Sequence, residues 1–145
     1  MKSLYFTSLF FLFLFASCNN GASKTEEPAA SENEDDAARN FIRSVLDQDF
    51  DKARTLIVND SLNNEYINIT ERAFKERMSK EEKNKYRSAN IQNYTSRSLN
   101  DSTIVVYYEN SYKKQSDSLL LVKRSNQWLV DLKYSFPASK VGDAQ

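Results

Sequence analysis

The spacing of apolar residues changes along the chain, from a helical period in the first half to alternation in the second. Apolar side chains recur every three or four positions between residues 38 and 46, which predicts a first helix from about Asp35 to Gln48. A second, short helix is expected from about Asp51 to Ile57, with Asp51 as its N-cap. Residues 59–64 are polar and typical of a turn.

The next segment is ambiguous, and a clear helix start follows it. Residues 62–78 suit a helix, but Ile67-Asn68-Ile69-Thr70 within them would also suit an extended piece. Ser79 and Glu82 have the spacing of a capping box, which predicts a short helix ending near Tyr86.

The second half of the chain is typical of strands. Alternation and β-branched or aromatic residues predict four of them, over residues 89–99, 103–110, 118–123 and 127–134. The connections between them are short and polar, so neighbouring strands are expected to be antiparallel. Helices followed by a meander predict an α+β domain, with the helices packed on a curled four-stranded antiparallel sheet.

A separate pattern stands at the start of the chain. Lys2 precedes an apolar run, Leu4 to Phe15, which is shorter than the roughly 20 residues needed to span a bilayer. The small pair Ala16-Ser17 and the only cysteine, Cys18, follow it. This layout is that of an export signal, and Leu14 to Cys18 resembles a bacterial lipobox. The resemblance implies removal of residues 1–17 and a lipid on Cys18.

Composition then divides the remainder. Residues 18–38 lack large apolar side chains, and one lysine faces six acidic residues from Asn19 to Ala38, so we expect a flexible acidic tether. Residues 39–137 are expected to form the domain, and residues 138–145 a disordered tail.

The residue inventory excludes several functions. The chain has no histidine, which rules out His-based metal sites and Ser-His or Cys-His nucleophiles. With one cysteine there is no intrachain disulfide. The excess of basic residues after Arg39 is mild and dispersed, unlike a nucleic-acid footprint. We expect no metal, no cofactor and no nucleic-acid partner.

Three local patterns carry a family resemblance. They are Ala37 to Ile42 leading to Asp49-Phe50-Asp51-Lys52-Ala53, the helix start Met78 to Lys83, and the hairpin Leu120 to Val130. Together with the element order, these patterns resemble the nuclear-transport-factor-2-like (cystatin-like) superfamily. They look closest to its small bacterial lipoproteins, which are related to lumazine-binding-like proteins. The resemblance covers about residues 37–136 and implies a cone whose open end can hold a small apolar ligand.

Candidate site residues follow from these expectations. A polar pair inside the cone could be drawn from Tyr94, Tyr107, Tyr108, Glu109 and Asp131. Tyr107 and Tyr108 point to opposite faces, so one of them should face the helices, while Asp131 should face solvent. The residues that could line a cavity are Tyr94, Tyr107, Tyr108 and Trp128. Since strand tyrosines and a strand Trp are commonly core residues, we expect no catalytic residue among them.

Three Asp-Ser pairs stand at predicted turns or element starts. They place Ser61, Ser102 and Ser118 in a pattern that resembles the O-glycosylation acceptor of exported Bacteroidota proteins. The same pairs are also ordinary turn and cap chemistry.

The sequence therefore predicts a lipid-anchored envelope protein, with the outer membrane favoured because Asn19 and Asn20 are not acidic. Its domain is expected to be a non-catalytic binding or interaction module, whose partner is an envelope protein or a small apolar ligand. The alternatives are a small enzyme or ligand carrier with a tyrosine and carboxylate in the cone, and a structural envelope component.

Overall fold

A computed structural model describes residues 33–135. The predictions for residues 1–17, Cys18, most of the tether and the tail 138–145 lie outside the described residues. Four helices come first: α1 (Glu34–Asp47), α2 (Phe50–Thr55), α3 (Ser61–Arg77) and α4 (Lys80–Arg87). Four strands follow: β1 (Ile91–Asn100), β2 (Thr103–Asn110), β3 (Ser116–Arg124) and β4 (Gln127–Asp131).

The strands form one antiparallel sheet in the order β1-β2-β3-β4. The α+β class, with helices N-terminal to a four-stranded antiparallel sheet, is thus confirmed. The outer edge of β4 is covered in part by the chain after α2. There the Val58 N–H donates to the Val130 carbonyl at 2.9 Å, and the Val130 N–H donates to the Leu56 carbonyl at 2.9 Å. This pairing shields a sheet edge that would otherwise expose backbone groups.

Helix α1 is the centre of the packing and contacts α2, α4, β3 and β4. Its buried face includes Ala37, Ala38, Phe41 and Leu46, so the fold begins earlier than residue 39. Asn33 caps its start by accepting a hydrogen bond from the Asp36 N–H. Its end is Gln48, at φ 64 in the left-handed region that glycine favours.

Arg43 joins α1 to the end of α4. Its guanidinium forms a two-pronged pair with Asp47, at 3.0 and 2.9 Å, and donates to the carbonyls of Arg87 and Ala89, both at 2.8 Å. The planar fork of arginine suits this combination of a carboxylate and two carbonyl acceptors. The connection fixes the point where the helical half gives way to the sheet.

The start of α2 differs from its prediction. The N-cap is Asp49, whose side chain accepts from the Lys52 N–H, and not Asp51, which lies in the first turn. Both residues are acidic and two positions apart, so composition did not separate them. The cap had to follow immediately after the left-handed Gln48 that ends α1.

Helix α3 resolves the ambiguous segment and corrects the expected turn at 59–64. Asp60 caps the helix by accepting from the Asn63 N–H, and the helix runs without a break from Ser61. Tyr66, Ile67 and Phe74 lie on its buried face, which is a helical and not an extended spacing. Tertiary burial of this face decided between the two alternatives.

The capping box at the start of α4 is confirmed. The Ser79 side chain accepts from the Glu82 N–H, and the Glu82 carboxylate accepts from the Ser79 N–H at 2.8 Å. In β1, however, the expected strict alternation is wrong. Asn93 lies at φ 49 within a register shift between Gln92 and Thr95. This bulge puts Ile91 and Tyr94 against the core together.

Strand β4 ends at Asp131, before the predicted Tyr134. The Leu132 N–H donates to the Asn63 side chain at 2.7 Å, and the chain turns away from the sheet there. Trp128, Val130 and Leu132 are nevertheless all buried, as the shared face predicted. Ser125 and Asn126, at φ 46 and 65, form the two-residue turn between β3 and β4. Positive φ at both central positions is typical of hairpin turns that match strand twist.

Candidate ligand-binding cavity

A cavity of about 350 Å³ lies between the helices and the sheet. Helices α1, α3 and α4 supply one wall, and strands β2 and β3 supply the other. Its volume falls at the lower end of the range of small-molecule sites, about 300–1,000 Å³. The cavity is therefore large enough for an organic ligand and not merely for a water molecule.

Most of the lining is apolar and belongs to the core. The buried apolar residues in the lining are Phe41, Ile42, Leu46, Ile67, Phe74, Leu119 and Leu132. Polar groups are confined to a few positions, among which Lys113 and Asp117 are exposed and mark the opening to solvent. An apolar interior with few polar groups is the usual character of a small-molecule site.

Tyr108 and Asp117 meet at this opening. The Tyr108 hydroxyl donates to Asp117 Oδ2 at 3.4 Å, which is long for a bond between a hydroxyl and a carboxylate. Asp117 Oδ1 accepts from the Ser118 N–H at 2.8 Å, which orients the carboxylate. Burial raises the pKa of Tyr108 strongly, and the neighbouring Asp117 raises it further. The hydroxyl therefore stays protonated at neutral pH and acts as a hydrogen-bond donor.

Asn110 is the buried polar residue of the lining. It ends β2, is 8 % exposed, and its Oδ1 accepts from the Lys113 N–H at 2.6 Å. That bond fixes which end of the amide is oxygen, because a backbone N–H can only donate. The Asn110 NH₂ group is thereby directed away from the Lys113 backbone.

Aromatic rings continue from the cavity along the helices. Phe74 and Tyr86, both in the lining, meet edge to face at 5.2 Å, and Tyr86 meets Tyr112 in the same way at 5.1 Å. Burial raises the pKa of Tyr86, with smaller contributions from Tyr112, Glu82 and Asp117. These contacts hold Tyr86 across the gap between α4 and the sheet.

The predicted site residues are divided between this cavity and other places. Tyr108 is the one of the four predicted lining residues that lines it, and it is the member of the Tyr107–Tyr108 pair that faces the helices. Tyr107 lies on the outer face of the sheet and is 38 % exposed. Trp128 is buried in the core, with Lys123 Nζ 5.8 Å from its ring centre.

Tyr94 also lies elsewhere, because of the bulge in β1. Its hydroxyl donates to Asp35 Oδ1 at 3.0 Å, and the Arg39 guanidinium lies 4.0 Å from its ring centre. Burial and Asp35 raise its pKa. Tyr94 therefore fastens the start of α1 to the sheet.

The two predicted carboxylates are not beside the cavity tyrosine. Glu109 accepts from the Asn93 side chain at 3.1 Å, next to the bulge. Asp131 was expected to face solvent, but its side chain is 17 % exposed and receives weak donation from Asn63 at 3.4 Å. The turn after β4 folds over Asp131, which accounts for its partial burial.

The carboxylate that does meet Tyr108 is Asp117, which the sequence analysis placed in a connection. Strand β3 begins at Ser116, so Asp117 is a strand residue paired in register with Tyr108. The signal that could have found it is this pairing, since directly opposed side chains on neighbouring strands are in contact. Using it required the length of the connection, residues 111–115.

The three predicted glycosylation positions differ in accessibility. Ser61, at the start of α3, and Ser102, in the turn between β1 and β2, are exposed. Ser118 is half-buried inside β3, and its carbonyl accepts from the Ser135 hydroxyl at 2.6 Å.

Within residues 33–135, no three acidic or cysteine side chains are grouped so that they could hold a metal ion. In the same part of the chain, no helix has the length and apolar character needed to cross a membrane. Comparison with known proteins gives no family model, no curated protein and no solved structure that matches the chain.

Proposed function

We propose that this chain is an envelope lipoprotein whose domain binds a small, mainly apolar ligand in the cavity between helices and sheet. The observation that carries the proposal is the cavity of about 350 Å³, with an apolar interior and a polar opening at Tyr108, Asn110, Lys113 and Asp117. A domain that served only as a surface for a protein partner would not need such a space, because unfilled core volume costs stability.

Within this proposal, residues 1–17 are the removed signal, and Cys18 carries the lipid that holds the domain at the membrane, with the outer membrane favoured. The domain is a member of the cystatin-like class, with its cone opening at Asp117. The acidic residues before α1 keep the domain away from anionic headgroups, since like charges repel within a Debye length. An envelope protein that delivers or receives the ligand is the second partner.

Ligand binding is tested with a neutral apolar dye. N-phenylnaphthylamine should gain fluorescence when added to the purified domain, and a Thr70→Phe variant should reduce its affinity about tenfold. Thr70 lines the cavity, and its hydroxyl donates only to the Tyr66 carbonyl of its own helix, so a phenyl ring can occupy the space.

The matched control is Ile69→Phe, because Ile69 is the preceding residue of α3 and is 37 % exposed. It receives the same side chain outside the cavity and should bind the dye as the wild type does. Equal dye affinity in all three proteins, or no dye binding by the wild type, would reject the cavity as a ligand site.

Anchoring is tested separately in a Gram-negative host. The wild-type chain should partition into a detergent phase, and Cys18→Ser should move to the aqueous phase. Ser17→Ala keeps a small residue before the cysteine and should behave as wild type. Retention of Cys18→Ser in the detergent phase would exclude lipidation at this residue.

A catalytic role is the second candidate, favoured by the pairing of Tyr108 with Asp117. The 3.4 Å separation and the exposure of Asp117 make it the weaker one, because a working acid/base pair is expected at about 2.6–3.2 Å. Mass spectrometry of a bound ligand before and after incubation would decide the matter. Conversion that is lost in Tyr108→Phe would establish an enzyme.

A further inference from the structure

The polar groups around the cavity show a bias in their hydrogen bonding. The Asn110 amide oxygen is used by the Lys113 N–H, while its NH₂ group meets no acceptor among the described residues. A polar side chain that is more than nine-tenths buried normally has its donors paired. An acceptor inside the cavity would complete the pairing.

A second donor lies two residues away on the same face of β2. Tyr108 and Asn110 both point towards the helices, and the Tyr108 hydroxyl spends its proton on a 3.4 Å contact with Asp117. A hydroxyl rotates at little cost, so it can transfer this weak bond to a better-placed acceptor. Lys113 adds a cation that forms no ion pair within residues 33–135.

We infer, resting on the proposed ligand-binding function, that the ligand carries a neutral carbonyl oxygen, which accepts hydrogen bonds from the Asn110 amide and the Tyr108 hydroxyl. Its class is an amide, ester or ketone with an apolar body that fills the interior.

The charges at the opening select a neutral head. Asp117 and Lys113 carry opposite charges and both line the cavity, so neither sign of ligand charge gains from both. A carboxylate would approach Asp117, and an ammonium head would meet the donors of Asn110 and Lys113 with no proton acceptor of its own. A carbonyl is attracted by the donors and is not repelled by the carboxylate.

The size of the body follows from the volume. A cavity of about 150 Å³ lined by apolar side chains holds one benzene molecule, and this cavity has about 350 Å³. An apolar body about twice the size of benzene therefore fits, which corresponds to a chain such as octyl or to two fused rings.

The test uses probes that share one chain and differ in the head group. Octanamide, octanoate and octylamine compete with bound N-phenylnaphthylamine on the wild-type domain. Octanamide should displace the dye at a concentration about tenfold lower than octylamine, with octanoate between them.

Asn110→Asp is the decisive variant. It keeps the oxygen that accepts from Lys113 and replaces the NH₂ donor by a second oxygen, so octanamide affinity should fall about tenfold or more. Asn59→Asp is the matched control, since it makes the same change at an exposed position that also retains its accepting oxygen. It should bind octanamide within twofold of the wild type.

Each outcome decides. Dye binding without a preference for octanamide, or equal octanamide affinity in Asn110→Asp and Asn59→Asp, would overturn the carbonyl assignment and leave the ligand site in place. If Asn110→Asp does not fold, as judged by circular dichroism, Tyr108→Phe decides instead. It should lower octanamide affinity about threefold or more and leave dye affinity unchanged, and unchanged octanamide affinity would reject the inference.

Discussion

Asn63 is a completely buried amide that joins the helical half to the end of the sheet. Its NH₂ group donates to Asp60 Oδ2 at 3.0 Å, and its oxygen accepts from the Leu132 N–H at 2.7 Å. Lys133 Nζ then contacts Asp60 Oδ2 at 2.6 Å, so the N-cap of α3 is also an ion-pair partner of the final turn. One residue type, at each of these positions, satisfies groups from two distant parts of the chain.

Asp60 gives this cluster a pH dependence. Its pKa is lowered from 3.8 to about 2, first by the Asn63 N–H and then by Lys133. Because the pKa is lower in the folded than in the unfolded state, the stabilisation is complete above about pH 5 and is lost as the pH falls towards 2. We expect Asp60→Asn to lower the free energy of unfolding at pH 7 by about 1 kcal/mol, a value reduced for the partial exposure of Asp60.

Urea unfolding at a series of pH values measures this effect. The difference between wild type and Asp60→Asn should narrow from pH 5 to pH 2, since asparagine has no proton to gain there. Asp101→Asn, in the exposed turn between β1 and β2, is the control and should change stability little across the range. A constant difference for Asp60→Asn would show that the carboxylate charge does not matter.

Among the elements, those with local determinants could be predicted and those set by distant contacts could not. Strand β2 has its predicted bounds, because eight successive residues favour a strand, and the start of α4 follows from Ser79 and Glu82 alone. The bulge at Asn93 depends on how β1 pairs with β2, and the identity of α3 depends on which face the core covers. Neither dependence is written in a short window of sequence.

The same distinction explains the candidate site. Tyr108 could be selected because alternation puts one of two neighbouring tyrosines inside. Asp117 could not, because its position opposite Tyr108 depends on the register across residues 111–115. The apolar lining could be predicted as core, but a space left between core residues is a property of packing and has no sequence signature.

At the scale of the element, the capping box of α4 supplies the sharpest prediction. Helix α4 has eight residues and no buried side chain, so its start depends strongly on the cap. Ser79→Ala removes the acceptor for the Glu82 N–H, and the domain should lose about 1 kcal/mol of unfolding free energy.

Ser88→Ala is the matched control for this change. Ser88 lies at the other end of α4, where its hydroxyl only donates to the Asn84 carbonyl, and its loss should cost less than half as much. Thermal unfolding followed by circular dichroism measures both variants. Equal losses would mean that the cap does not determine the helix.

For the whole molecule, the cavity sets stability against binding. The core residues around it belong to one cluster that also holds the helices on the sheet, and the unfilled volume forgoes contacts this cluster could make. A protein that kept such a space without using it would be expected to fill it, because filling substitutions are readily found. The cavity thus has the character of a functional cost.

Val45→Met measures that cost directly. Val45 lines the cavity from α1 and is only partly buried, and methionine is flexible enough to enter an irregular gap. We expect the ligand-free domain to gain about 0.5–1 kcal/mol from the added apolar burial, which corresponds to roughly 4 °C in Tm for a domain of this size. The same side chain occupies ligand volume, so N-phenylnaphthylamine should bind about threefold more weakly.

The control is Val122→Met, in β3 and outside the cavity lining, which should change neither quantity appreciably. Differential scanning calorimetry and dye titration on the three proteins give both readouts. A stability gain together with weaker dye binding identifies one volume as the origin of both effects. If Val45→Met lowered Tm and left dye binding unchanged, the space would not accept a side chain and the ligand would have to bind elsewhere, so the opposite signs of the two changes are what the cavity requires.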